Sequence, residues 1–288
     1  MSSLRFEAPT PLDYFANLVA DDSQFSQFEA AIAIAQDEEP SLDVQSVLSQ
    51  IDTLAVRLKQ RIAADAAPMQ RLRYLNRYFF QELGFAGNVN DYYDPHNSYV
   101  HRVLATRRGI PITLALLFIE IAQQIGLDAR PVSFPGHFLI KLKMPQGEVV
   151  IDPFSGHSLS RDALDERLAP YRTRQGLVGE FEAPLGLFLQ AASGRDVLAR
   201  MLRNLKEIHR SAERWPQLLA VQQRLVLLLP EVWEERRDRA LVRAELGEHA
   251  DAADDLQLYL QHRPDADDAR ALAERLAELR SAIRPRLH

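Results

Sequence analysis

The chain contains no cysteine. That absence excludes disulfides, cysteine–zinc sites and every thiol nucleophile. No apolar run approaches the roughly 18 residues needed to span a bilayer. The opening residues, MSSLRFEAPTPLDYF, lack the basic-then-apolar pattern of a secretion signal. The chain therefore reads as cytoplasmic, with no membrane partner. Positive charge is missing from one long stretch. Between Phe6 and Val56 there is no Lys or Arg, while Asp21, Asp22, Asp37, Glu38, Glu39 and Asp43 punctuate it. The whole chain carries a formal net charge of −6. That is the wrong sign for a protein that releases counterions from phosphates, so no nucleic-acid partner is expected.

What is present is length and helical periodicity. The 288 residues suffice for two domains, or for one domain with an appendage. TPLDYFANLVA has Thr10 placed to cap a helix and Pro11 at its first position. SLDVQSVLSQIDTLAVRLKQRIA spaces its apolar residues by threes and fours. PMQRLRYLNRYFFQELGF continues the helical pattern to Gly84. The basic residues Arg57, Lys59, Arg61, Arg71, Arg73 and Arg77 follow the acidic stretch. The two read as solvated helix faces that attract each other, or as an acidic surface for a basic partner.

At Ala86 the texture changes. AGNVNDYYDPHNSYVH is rich in Gly, Asn, Asp and Pro and reads as a loop. Asn97 or Ser98 is placed to cap a short helix ending near Gly109. PITLALLFIEIAQQIG is apolar almost all round, as in a helix surrounded by protein. Pro111 suits its first turn and Gly126 its left-handed stop. ARPVSF, HFLIKLKM and EVVIDPF then read as strands. With Met144 to Gly147 as a hairpin loop, Lys143 faces Glu148. His137 and Asp152 then share a sheet face, one diagonal step apart. A slip of one residue would separate them.

The C-terminal third is helical again, with a weak repeat. Pro230 and Pro264 each close a helical hairpin. RALVRAELGEHADAADDLQLYLQHRPD places Gly247, Ala252, Leu256, Tyr259 and Pro264 in a pattern that resembles the tetratricopeptide repeat. The preceding unit matches less well. Two repeats and a capping helix are too few for a free-standing solenoid. Packing on the first domain or binding of a partner helix is expected.

The segment from Phe79 to Gly156, with its motifs RRGIP, PGHF and IDPF, resembles the transglutaminase-like domain of SirB-type bacterial proteins. In that family tetratricopeptide-like helices follow. The resemblance implies an α+β fold: a papain-type, transglutaminase-like core with a small antiparallel sheet on a buried helix. The expected division is 1–84 as a helical segment packed on the core, 85–182 as the core, and 188–288 as the repeat-like helices. It also implies a Cys–His–Asp triad. The histidine falls on His137, the aspartate on Asp152 and the cysteine on Pro111. Proline offers neither a nucleophile nor a backbone N–H, though its fixed φ starts a helix well.

The resemblance thus argues for the fold and against its usual chemistry. The expected function is a non-catalytic interaction or regulatory role, with a protein or peptide partner on the C-terminal helices and no cofactor. His137 and Asp152 are a relic pair, and Tyr92, Tyr93, Asn97 and Arg108 are candidates for recognising a polar ligand or peptide end. Arg107 and Arg108 also read as helix-end charges. The alternative is an amide-bond hydrolase or transferase built on His137 and Asp152. Its nucleophile would be a hydroxyl (Thr113, Ser98 or Ser133) or a metal-bound water held with His96, His101 or His157. No metal motif of helical spacing supports the latter.

Overall fold

The computed structural model describes residues 9–21 and 25–283; Phe6 and Asp22 of the acidic stretch lie outside them. In chain order come α1 (Pro11–Leu18), α2 (Gln27–Ala33), α3 (Val44–Lys59), α4 (Pro68–Asn76), β1 (Ala86–Gly87), α5 (Val100–Thr106), β2 (Arg108–Gly109) and α6 (Pro111–Gln124). Strands β3 (Asp128–Val132), β4 (Leu139–Met144), β5 (Gly147–Ile151) and β6 (Ser158–Leu159) follow. Helices α7 (Arg161–Arg174), α8 (Leu185–Phe188), α9 (Gly194–Ser211), α10 (Trp215–Leu228), α11 (Trp233–Glu245), α12 (His249–His262) and α13 (Ala269–Ile283) complete the order. The described residues form two units. The core unit holds 26–36 and 41–201; the repeat unit holds 9–21, 25, 37–40 and 202–283.

The core unit is organised around α6. Ile110 is extended before it, Pro111 opens it, and Gly126 at φ +81° follows its end. The helix is buried nearly all round, from Pro111 through Ile119 and again at Ile121 and Ala122. It packs on β3, β4 and α3. The sheet is antiparallel in the order β3-β4-β5-β6. Lys143 pairs with Glu148 and Met144 with Gly147, the register expected from the MPQG turn. Strand β6 and the parallel β1–β2 pair were not anticipated. Two residues per strand are too short to show a period.

Two local readings are corrected. Asp94, not Asn97 or Ser98, caps the turn at Pro95–Ser98, and α5 begins after Tyr99 with no side-chain cap. The helix expected to run to Gly84 changes at Arg77–Glu82 into a π-helical turn, where Leu83 N donates to Tyr78 O at 2.8 Å. Adjacent residues of an α-helix diverge by about 100°. Here both Phe79 and Phe80 reach Phe118, with centroids 5.3 and 5.7 Å away. The wider turn lets both rings pack on Phe118.

The repeat unit stacks α10 on α11, α11 on α12 and α12 on α13, with α1 against α10. Gly247, at φ +79°, turns α11 into α12. Ala240 and Ala252 are fully buried between those helices, where larger side chains would hold them apart. Leu256, Tyr259 and Leu276 fill the same core. Acids are buried with cations around them. Asp255 accepts from Arg239 Nε and Nη2 at 2.7 and 2.6 Å and from Arg243 Nη1 at 2.8 Å. Lys206 Nζ bridges Glu235 and Asp238 at 2.8 and 2.6 Å. Arg224, 0% exposed, forks onto both Asp37 oxygens at 2.6 Å and lies over the Phe15 ring.

Candidate functional site

The site begins with a turn. Phe134-Pro135-Gly136-His137 has His137 N donating to Phe134 O at 3.0 Å and Gly136 at φ +69°. Proline then glycine at the two central positions is the type II turn chemistry. The turn leaves β3 and presents His137 just before β4. The β4–β5 register sets Leu139 one step beyond the Ile140–Ile151 pair, which brings Asp152 diagonally beside His137. His137 Nε2 lies 2.9 Å from Asp152 Oδ1.

Asp152 is held from every side. Its side chain is 6% exposed and that of His137 25%. Phe154 N donates to Oδ1 at 2.9 Å, and Arg167 Nη1, from α7, to Oδ2 at 3.2 Å. Burial alone would raise the carboxyl's pKa; the bonds from His137, Phe154 and Arg167 overcome it and hold the acid well below the carboxylate range. An ionised carboxylate only accepts, so His137 Nε2 carries the hydrogen. Nδ1 is then the ring atom left for a further partner.

The start of α6 is stitched to this end of the sheet. Gly87 N donates to Phe154 O at 3.1 Å, and Asn88 N to Gly109 O at 3.1 Å. Two consecutive amides thus join the residue two past Asp152 to the residue two before Pro111. Gly87 is needed there: a Cβ would lie 2.2 Å from the Phe154 ring. Pro111 occupies the first position of α6 and is buried. Thr113 is fully buried, and its hydroxyl has no hydrogen-bond partner. Ser98 Oγ is likewise buried without a partner. Ser133 Oγ accepts from Arg200 Nη1 at 2.8 Å. No group of three or more His, Asp or Glu able to hold a metal ion occurs among the described residues. His96 pairs with Asp94 at 2.9 Å, His101 lies beside Tyr99, and His157 gives its carbonyl to Asp152 N.

The aromatic loop sits beside Phe154. Tyr92, 45% exposed, lies 5.4 Å from Tyr93 and 6.1 Å from Phe154 between ring centroids. Burial and Tyr93 push the Tyr92 phenol's pKa up, while the charge of Arg200 draws it back. Asn97 builds the loop from inside. Its amide nitrogen donates to Asp91 O at 2.6 Å and Tyr92 O at 3.2 Å, and its oxygen accepts from Asn88 at 3.0 Å. Arg108 turns to Gly84 O at 2.6 Å and Arg107 O at 3.0 Å. Arg107 takes the left-handed conformation that ends α5, at φ 61°, and lies over Phe85.

The structure therefore brings together His137 and Asp152 and sets Tyr92 against Phe154, while Asn97 is spent on two carbonyls and the Asn88 side chain and Arg108 on two carbonyls. Arg167, Arg200 and Phe154 belong to the same neighbourhood and were not singled out from the sequence. Both arginines stand on helices where they look like any solvated cation. Only the IDPF motif pointed toward Phe154.

A buried helix packed on an antiparallel sheet that carries a His–Asp pair, with Gly87 and Asn88 tying the sheet end to the residues before the helix, fits the transglutaminase-like, papain-type class. Comparison with known proteins agrees. The transglutaminase-like superfamily matches residues 45–203, and the tetratricopeptide repeat matches 205–277. A UPF0162 protein of Xylella fastidiosa (strain Temecula1) is 35% identical over 262 residues, covering 90% of this chain and 92% of that protein. The UPF0162 protein PA3419 of Pseudomonas aeruginosa is 29% identical, covering 91% and 93%. F-box only protein 21 of Mus musculus is 35% identical over 141 residues, which is 47% of this chain and 21% of that protein. No solved structure matches. The chain belongs to the transglutaminase-like superfamily and, within it, to the SirB-type UPF0162 family. The pairing of that core with tetratricopeptide repeats suggests a protein-interaction role. No helix among the described residues is long and apolar enough to cross a membrane.

Proposed function

We propose that this is a non-catalytic, cytoplasmic interaction or regulatory protein. Its transglutaminase-like site recognises a ligand instead of transforming one, and its repeat helices, in 188–288, take a protein or peptide partner. One observation carries the reading: Pro111 stands at the start of α6, where the fold's chemistry calls for a thiol activated by the helix N-terminus. The hydroxyl substitutes weigh little. Thr113 and Ser98 are buried, and Ser133 is engaged by Arg200. In the 85–182 segment His137, Asp152, Tyr92 and Tyr93 then serve recognition, with Asn97 and Arg108 shaping the loop and the α5 end.

For the partner, the repeat unit offers a cavity of about 520 Å3, lined among others by Trp215, Leu218, Gln222, Leu241 and Leu272. Apolar side chains interleaved with the charged Lys206, Arg210, Arg237, Asp238, Glu245 and Asp268 suit an amphipathic peptide or helix. Amide and ester substrates offered to the wild type and to His137→Ala test the catalytic side. No turnover is expected from either; turnover abolished by His137→Ala would overturn the reading. Affinity purification from the native cell tests the other half. A partner retained by the wild type should be lost with Leu241→Asp, a substitution at an exposed groove position, and equal retention would count against the groove.

A further inference from the structure

We infer that the His137 site recognises a carboxylate, with Arg200 as its anchor. This rests on the non-catalytic reading above. Arg200, on the first half of α9, is a half-buried cation with no Asp or Glu partner among the described residues. Its Nη1 donates to Ser133 Oγ at 2.8 Å and to Phe134 O at 3.1 Å. Phe134 O is the same carbonyl that accepts from His137 N. The guanidinium also lies 5.5 Å from the centroid of the Phe138 ring. Arg200 is thus fastened to the turn that presents His137, flanked on either side of that residue in the chain.

A guanidinium taken partly out of water without a counter-ion is costly, and an anion relieves that cost. Burial lowers the Arg200 pKa, the direction expected of a cation without an acid beside it. Its Nε and Nη2 donate to none of the described residues. That leaves a planar donor edge of the kind that matches a carboxylate in two parallel bonds. The surrounding groups fit the rest of such a ligand. Tyr92 lies beside Phe154, whose amide donates to the same Asp152 oxygen that meets His137. Tyr92 and Phe154 add ring surface for an apolar body, and His137 Nδ1 is a second polar contact. One uncompensated positive charge calls for a monoanion, which favours a carboxylate over the dianionic form of phosphate. Arg200 touches ligand in this account and no reacting bond, so it is a binding residue.

The test is a titration of the isotope-labelled full chain, reading the His137 and Arg200 side-chain resonances. The probes are benzoate, N-acetylphenylalanine, its amide, and inorganic phosphate. Both acids should give saturable shifts and the amide and phosphate none. Tighter binding of N-acetylphenylalanine assigns the carboxylate to a peptide end, and tighter benzoate to a small acid. Equal response to acid and amide, or preference for phosphate, overturns the inference. Arg200→Gln should weaken the acids by roughly tenfold to a hundredfold, the worth of a charged hydrogen bond. Ser133→Ala, which keeps the guanidinium and removes one of its internal acceptors, should bind at least as well as wild type. If Ser133→Ala loses binding as fully as Arg200→Gln, Arg200 only braces the turn and the inference falls. Hydrolysis or transfer of the amide in the same samples would overturn the non-catalytic reading and leave carboxylate recognition standing. Absent shifts without turnover sink only the inference.

Discussion

Asp152 in the core unit and Asp255 in the repeat unit are both buried carboxylates, 4% and 3% exposed. Their surroundings differ in kind. Asp255 is met by Arg239 and Arg243, one helical turn apart on α11, which between them fill both oxygens. The donors left over there, Arg236 Nε and Arg243 Nε, are buried away from solvent. Asp152 is met by a backbone amide, one bond from Arg167, and an imidazole whose second nitrogen is left over. A buried acid closed off by cations is a staple between helices. The same acid closed by a partly exposed histidine orients a group toward solvent. What separates a staple from a site is whether the leftover donor or acceptor can be reached from solvent, not the buried charge.

The comparison breaks if the two acids prove interchangeable in stability. Asp255→Ala takes the shared acid from two largely buried guanidiniums, leaving Arg243 only the more distant Glu248, and should cost about 3–5 kcal/mol in urea unfolding of the full chain. Asp152→Ala frees groups that water can reach, His137 and Arg167, and should cost about 1–3 kcal/mol. Equal losses would mean that the His137 pair is also a staple.

Acid sharpens the contrast. His209 in the repeat unit has a wholly buried ring facing Glu38 at 3.8 Å. Burial lowers its pKa below the ordinary 6.5; Glu38 opposes and Arg214 assists. A histidine depressed in the fold stabilises fully above its unfolded value and loses that stability as pH falls below about 6.5. Asp152, depressed from 3.8, keeps its contribution above that value and loses it as pH falls toward the lower folded one. Repeat-unit signals in a pH-resolved melt should therefore weaken well before core-unit signals. His209→Gln should flatten the upper slope, which is at most about 1.4 kcal/mol per pH unit for one proton. An unchanged upper slope would remove His209 from the account.

The smallest effect separates register from charge. Lys141 and Glu148 pair at 3.1 Å on the hairpin that carries the site. Glu148 is half-exposed, so Glu148→Gln should change stability by under about 1 kcal/mol and leave the His137–Asp152 resonances in place. A displaced His137 resonance would show that the ion pair, and not the ladder, sets the register.

The legible parts were those written locally. Pro111 and Gly126 bracket α6 because each has a conformational role that few residues can fill. MPQG fixed the hairpin, and the hairpin fixed the diagonal between His137 and Asp152. The illegible parts join residues far apart. Asp37 closes on Arg224 across 187 positions, and Arg200 reaches Phe134 across 66. An arginine on an amphipathic helix shows no local sign of whether it meets water or a turn. The π-helical turn at Arg77–Glu82 escaped for another reason: its two phenylalanines pack on Phe118, outside its own stretch.

The paired amides of Gly87 and Asn88 have a kinetic consequence. They hydrogen-bond to partners late in two separate stretches of chain, Phe154 and Gly109, so neither bond forms until those distant segments have already been brought in. Non-local closures of this kind come late because the entropy of loop closure precedes their reward. Hydrogen exchange at these two amides is therefore a clock for the core unit. When both become slow, the helix start and the strand end have met.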